Sequence, residues 1–227
     1  MGKIKAAKNA DRYDLYIKSV QDPDSEVKFV RRTFNKMFHK EPRTLREDFC
    51  GTGAVACSFV RTSPENRAVG VDLDPVPLAW GREHHLAPLG EAASRVKLME
   101  GDVLHPPDEK FDIVCANNFS YFAFKTREKL SSYFRAVHKT LNDEGFLYLD
   151  IYGGPEAMIP QLEEWEYDDF TYVWDQDFYD PVTGDYRCYI HFKFPDGSKM
   201  KKAFKYDWCL WNLVEVKDLL YEVGYRE

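Results

Sequence analysis

Two apolar rhythms divide this chain. Between residues 10 and 40 the spacing is helical: Val27, Val30, Phe34, Met37 and Phe38 form one stripe, with Phe29 beside it. Asp22-Pro23-Asp24-Ser25 is a turn and N-cap ahead of that stripe, and an earlier helix carries Tyr13 and Tyr16. Short apolar runs then alternate with helical stripes. Leu45–Asp48, Ala68–Asp72, Val96–Glu100, Phe111–Ala116 and Phe146–Ile151 read as five strands. A helix from about Thr126 puts Leu130, Phe134, Val137 and Leu141 on one face, and Asn142–Gly145 reads as a turn. Strand–helix alternation predicts an α/β fold with a doubly wound, mostly parallel sheet and right-handed crossovers.

After Gly154-Pro155 the rhythm changes to period two and becomes aromatic. Phe170, Tyr172 and Trp174, then Tyr186 to Phe194, then Phe204, Tyr206 and Trp208 predict a three-stranded antiparallel β insertion near the C-terminus. Its aromatic faces suit either a small core or the wall of a substrate pocket. Asn212 to Val223 reads as a last helix with Leu213, Val216, Leu219 and Leu220 inward, ended by Gly224. The expected organisation is a single domain over 1–227. It comprises a helical cap at 1–40, a ligand-binding core at 41–154, the insertion or lid at 155–211 and a final helix at 212–227. The cap either packs on the sheet or forms a flap over the ligand.

The candidate chemistry centres on Leu45 to Ala56. Gly51 and Gly53 sit between a strand and a helix, where the backbone can approach a ligand and the helix N-terminus faces it. Glu47, four residues earlier, disfavours a pyrophosphate and suits a positively charged ligand with groups to donate. Strand two ends in Asp72, about twenty residues past Gly53, the spacing at which an acid reaches the hydroxyls of a nucleoside ribose. Strand three ends at Glu100 and is followed by Gly101-Asp102-Val103, which puts another acid on the same edge. Arg46, Glu47 and Asp48 put three charges into a central strand, which is tolerable at the crevice end, with Arg46 paired to a carboxylate.

Composition narrows the partners. With 227 residues, 44% of them hydrophobic, the chain can bury one sizeable core. A net charge of −7 is a poor counter-charge for nucleic acid, and Lys199, Lys201, Lys202 and Lys205 read as the solvated face of a strand. Five cysteines without a CxxC pair fit a reduced, cytoplasmic setting. His84 and His85 are adjacent and do not share a helix face, so no metal site is expected. Met1 to Lys5 has no apolar stretch after it, so no leader is expected, and no run has membrane-spanning length.

In these features the sequence resembles the class I S-adenosylmethionine-dependent methyltransferases, which have a Rossmann-like fold. The similarity runs from about residue 43 to 151, and more loosely to the end. Leu45–Gly53 is similar to that family's acid followed by alternating glycines, Gly70-Val71-Asp72 to its ribose acid, and Gly101-Asp102-Val103 to its adenine step. The resemblance implies S-adenosyl-L-methionine as cofactor. Glu47, Gly51 and Gly53 would line its methionine part, Asp72 would hold the ribose and Leu73 would lie against the adenine. Asp102 and Val103 would flank the adenine, and Asn117 and Asn118 would sit near the reacting methyl. Phe49 departs from the pattern by replacing the first glycine. Asp48 beside Glu47 leaves two candidates for the acid that faces the ligand. The chain also stops at Glu227, where that family adds a final antiparallel hairpin.

The implied reaction is an in-line methyl displacement onto a nitrogen or oxygen of a small molecule. Asn118, Tyr121 and Tyr152 are the candidate catalytic residues, with Asp150 near them. Asn118-Phe119-Ser120-Tyr121 keeps the ends of the Asn-Pro-Pro-aromatic segment of nucleobase-methylating enzymes and lacks both prolines, which points away from nucleic acid. Two rival readings remain. One is an NAD(P)-dependent short-chain-type oxidoreductase, from Gly51-Thr52-Gly53 with Asp72 and from Tyr121-x-x-x-Lys125. The other is a non-catalytic module that binds S-adenosylmethionine.

Overall fold

The computed structural model describes residues 5–226. In chain order the elements are α1 (Ala6–Asn9), α2 (Arg12–Val20), α3 (Pro23–Phe38), β1 (Thr44–Asp48), α4 (Ala54–Arg61), β2 (Arg67–Asp72), α5 (Pro75–Gly81), β3 (Val96–Glu100), β4 (Phe111–Ala116), α6 (Arg127–Thr140), β5 (Leu141–Leu149), β6 (Gln161–Glu166), β7 (Thr171–Tyr179), β8 (Asp185–Lys193), β9 (Lys199–Cys209) and α7 (Leu213–Val223). Met1 to Ile4, where no leader is expected, and Glu227 lie outside the described residues.

The contacts gather into two compact units. One holds the residues up to Gln21, Phe122–Thr126 and Tyr152–Leu213; the other holds Asp22–Tyr121, Arg127–Ile151 and the chain from Val214 on. The segment expected as one cap is therefore shared, α1 and α2 going with the first unit and α3 with the second.

The second unit is a five-stranded parallel sheet in the order β3-β2-β1-β4-β5, the doubly wound arrangement that the strand–helix alternation predicts. Its core joins Val27, Val30 and Phe34 of α3 to Leu45 of β1, Val55 and Phe59 of α4 and Ile113 of β4. Every residue of α4 from Ala54 to Val60 is buried, so this helix lies inside the unit. Met37 and Phe29, read from spacing as in or beside the stripe, are exposed. In α7, Val216 and Leu219 are buried and Leu213 faces solvent, contrary to the helical-wheel expectation.

Strand β5 begins five residues earlier than expected. Phe111 pairs with Leu141 and Ile113 with Phe146, so Asn142–Gly145 is a four-residue excursion within the pairing rather than a turn before it. Gly145 is required there, because an added Cβ would lie 2.9 Å from the Phe111 carbonyl oxygen.

A second glycine constrains the ligand-binding edge. Gly81, at the end of α5, packs against the loop between β1 and α4, and an added Cβ would lie 1.9 Å from the Thr52 carbonyl oxygen. Backbone cannot yield as a side-chain tip does. Gly81→Ala should therefore destabilise by about 1–3 kcal/mol, the usual range for overpacking. Thermal unfolding measures it, and an unchanged midpoint would show that α5 and the loop are not packed this closely.

The first unit contains a four-stranded antiparallel sheet in the order β6-β7-β8-β9. The expected count was three. Strand β6, Gln-Leu-Glu-Glu-Trp-Glu, escapes a hydrophobicity reading because it is an edge strand with Leu162 and Trp165 exposed. Leu15 and Tyr16 of α2 pack with Phe170, Tyr172, Ile190, Phe192 and Phe204 on this sheet, the Tyr16 and Phe204 rings being 4.8 Å apart. These aromatics form a core, and the four lysines of β9 are solvated as expected.

Candidate functional site

The parallel register brings the carboxyl ends of four strands to one edge. Glu47 lies opposite both Gly70 of β2 and Cys115 of β4, and Asp72 lies opposite Glu100 of β3. The loops leaving these ends are stitched together: the Cys50 N–H donates to the Val71 carbonyl and the Gly101 N–H to the Asp72 carbonyl, at 3.0 and 2.9 Å. In such sheets this edge is where ligands bind.

The three charges of β1 separate by the strand's period of two. Arg46 and Asp48, both with fully buried side chains, share one face and pair bidentately at 2.8 and 3.1 Å. Arg46 also donates to Thr140 Oγ1 at 2.8 Å, and the Tyr133 hydroxyl donates to Asp48 at 3.0 Å. Asp48 is thus committed to structure, which leaves Glu47 as the acid on the α4 side.

Glu47 is itself buried, and its Oε2 accepts the Ala56 N–H in the first turn of α4 at 2.8 Å. Burial pushes its carboxyl up to about 8, with Glu26 and Asp72 adding like charge. A folded-state value above the unfolded one means the native state keeps a proton that the unfolded chain has lost. Stability from this group is full below about pH 4.5 and falls as pH rises toward 8. Glu47→Gln should flatten that slope and raise the melting temperature relative to wild type at pH 8. Parallel slopes between pH 5 and 8.5 would show Glu47 to be ionised throughout.

Phe49 adopts a left-handed φ of 55° in place of the expected glycine, with its ring 5.6 Å from Tyr133. Gly51 and Gly53 are also left-handed, and a Cβ at Gly51 would meet nothing within 4 Å. The loop backbone therefore faces open space at Gly51. The Asp72 carboxylate takes the Gly51 N–H on Oδ2 at 2.7 Å and the Asp74 N–H on Oδ1 at 2.9 Å. Burial raises its pKa above the ordinary carboxylate value. Leu73 is 68% exposed, and Val103 is buried beside Asp102, whose Oδ1 caps the Leu104 N–H at 2.9 Å.

The loop after β4 is held by Asp150. Asn118 and Phe119 are consecutive left-handed residues, and their N–H groups donate to Asp150 Oδ2 and Oδ1 at 2.8 and 2.9 Å. Both carboxylate oxygens are thereby engaged in fixing the loop. Tyr121 is fully buried, its hydroxyl donates to the Asp150 carbonyl, and burial raises its pKa. Tyr152 belongs to the first unit, where its hydroxyl donates to Gln176 at 2.6 Å. Of the three expected catalytic residues, Asn118 lies on this loop. Asn118 is half-buried.

Glu26 was not anticipated from sequence. It sits in the first turn of α3, and its Oε2 accepts the Asn117 amide N–H at 2.5 Å. The available signal was its capping arrangement, in which Oε1 accepts the Asp22 N–H at 3.3 Å.

Residues 50–147 match the methyltransferase-domain family model. Three relatives fill in the picture. Over 162 residues the chain is 25% identical to sphingolipid C9-methyltransferase B of Emericella nidulans, covering 68% of this chain and 29% of that protein's length. The S-adenosylmethionine-bound structure of CalS10, an amino pentose methyltransferase from Micromonospora echinaspora, superposes with a TM-score of 0.72 at 16% identity, over 99% of this chain and 91% of that one. The sugar N-methyltransferase KedS8 from Streptoalloteichus superposes with a TM-score of 0.67 at 21% identity, over 99% and 89%. The oxidoreductase alternative gives way to this domain match. Its Tyr121 is committed to the core, and its Lys125 pairs with Asp185 and Asp207. Among the described residues no helix is long and apolar enough to cross a membrane.

Proposed function

We propose that this chain transfers the methyl of S-adenosylmethionine to an amine nitrogen of a small molecule. The observation that carries the reading is the convergence of Glu47, Asp72 and the loop at Asn117 on one stitched sheet edge. The residues there fit the cofactor. Asp72 offers its remaining lone pairs to ribose hydroxyls, Leu73 an exposed apolar surface to adenine, and Gly51 open room at the backbone. Asp102 and Val103 stand beside the adenine position, with Gly53 and Asn117 toward the methionine end.

When bound, the cofactor supplies a methyl already activated on a positively charged sulfur. The protein's own work is alignment and exclusion of water. Asn118, fixed by Asp150, presents the loop to the acceptor. A neutral amine attacks with its own lone pair, whereas a hydroxyl needs a base. The carboxylates and phenol at the loop are engaged, Asp150 and Tyr121 in holding it and Glu26 in accepting the Asn117 amide, which favours the amine. The names of CalS10 and KedS8 support amino sugars as the first acceptors to try.

The test is thermal-shift screening followed by turnover. S-adenosylhomocysteine should raise the melting temperature and NADP should not. A panel of small amines and matched alcohols should then show S-adenosylhomocysteine release with the amines. Stabilisation by NADP alone would overturn the cofactor, and turnover confined to alcohols would overturn the acceptor.

A further inference from the structure

Asn117 holds an acceptor that no described residue satisfies. In the ligand-free protein its Oδ1 has almost no exposed surface and no hydrogen-bond partner among the described residues. Such an atom costs the free protein stability, so its persistence at the ligand edge calls for an account. Glu26 supplies part of it. An ionised carboxylate only accepts, so the Asn117 amide must turn its nitrogen toward Glu26 and its oxygen away. The other Glu26 oxygen is fixed by the Asp22 N–H, which prevents the carboxylate from swinging free.

We propose that Glu26 is a positioning residue, orienting Asn117 so that its Oδ1 accepts an N–H from the α-ammonium of the cofactor's methionine part. The inference rests on the methyltransferase reading. The electrostatic setting selects a cation: Glu26 lies within reach of the like charges of Asp150 and Asp22. A sulfonium has no N–H, so the donor is an ammonium. A protonated acceptor amine would have the same chemistry, but carboxylates around it would hold the proton on the nitrogen that must attack. The donor that can keep its proton throughout the transfer is therefore the cofactor's.

Titration calorimetry with two ligands tests this. S-adenosylhomocysteine carries the ammonium; 5′-methylthioadenosine keeps the nucleoside and sulfur and lacks the amino acid. Glu26→Met fills the same space without an acceptor, and Glu26→Ala stands in if it does not fold. Asn117→Ala and Glu26→Met should each weaken S-adenosylhomocysteine roughly tenfold, the value of one hydrogen bond to a charged group. Methylthioadenosine should bind as in wild type. The double variant should bind no worse than Asn117→Ala alone, because Glu26 acts through Asn117. Additive losses, or equal losses for both ligands, would overturn the positioning role. Unchanged S-adenosylhomocysteine affinity with a raised acceptor KM would assign the oxygen to the acceptor and also overturn it. A wild type that binds neither ligand overturns the methyltransferase reading instead. The Asn117 side-chain amide resonances of the free protein then decide the contact: a shift on Glu26→Met supports it and no shift overturns it.

Discussion

Arg46→Met should destabilise the protein by about 3–5 kcal/mol, the usual cost of leaving one charge of a buried pair without its partner. Arg46 and Asp48 are both fully buried, and their forks match at 2.8 and 3.1 Å. Burial already pushes the Asp48 carboxyl above its ordinary pKa, outweighing the pull of the guanidinium. Removing Arg46 leaves that carboxylate, among the described residues, with the Tyr133 hydroxyl. Arg46→Met/Asp48→Leu removes both charges and should return to within about 1 kcal/mol of wild type, since apolar replacements of whole buried pairs are often neutral or better. Urea unfolding followed by far-ultraviolet circular dichroism measures both. If the single variant loses no more than the double, Asp48 is already protonated in the native protein and the pair is no ion pair.

The same residues show how far the chain's pattern reaches. Arg46-Glu47-Asp48 stands out in sequence as an anomaly in a central strand, and pairing of Arg46 with a carboxylate is an expectation the structure bears out. Which carboxylate was open, because the choice depends on the partners of each face. Thr140 and Tyr133 come from α6, more than eighty residues on. Phe49 likewise announces a shifted turn, and the structure absorbs it with a left-handed backbone and a ring contact to Tyr133 rather than with a different loop.

The parallel strands were legible because buried strands between helices read as continuous apolar runs. Strand β6 was not, since an exposed edge strand has no apolar face to announce it. Gly81 gave no local sign, because its constraint comes from the Thr52 carbonyl on another loop. Glu26 was hidden differently. A glutamate in a helix's first turn is adequately explained by capping, and its second bond reaches an asparagine 91 residues away. Tyr121 and Asp150 fall at positions that suit catalysis, yet their hydrogen bonds show them holding the loop. Position after a strand nominates a residue; its partners decide what it is free to do.

On the proposed ribose role, Asp72→Ala should weaken S-adenosylhomocysteine at least a hundredfold, because two hydrogen bonds from ribose hydroxyls to a carboxylate are worth about 1.5–3 kcal/mol each. The carboxylate also has a structural role, since through Gly51 and Asp74 it ties the glycine loop to the end of β2. Asp72→Asn separates the two. An amide keeps one acceptor oxygen, but its NH2 must then face either the Gly51 or the Asp74 N–H, two donors meeting. The asparagine variant should therefore lose loop order as well as affinity, and its ligand-free melting temperature should fall below that of Asp72→Ala, which leaves space for water. Replacing the ligand by its 2′-deoxy form completes the comparison, since it should lose affinity against wild type and little against Asp72→Ala. Near-wild-type binding by the alanine variant would move the ribose away from β2, and with it the order of adenine, ribose and methionine along the sheet edge.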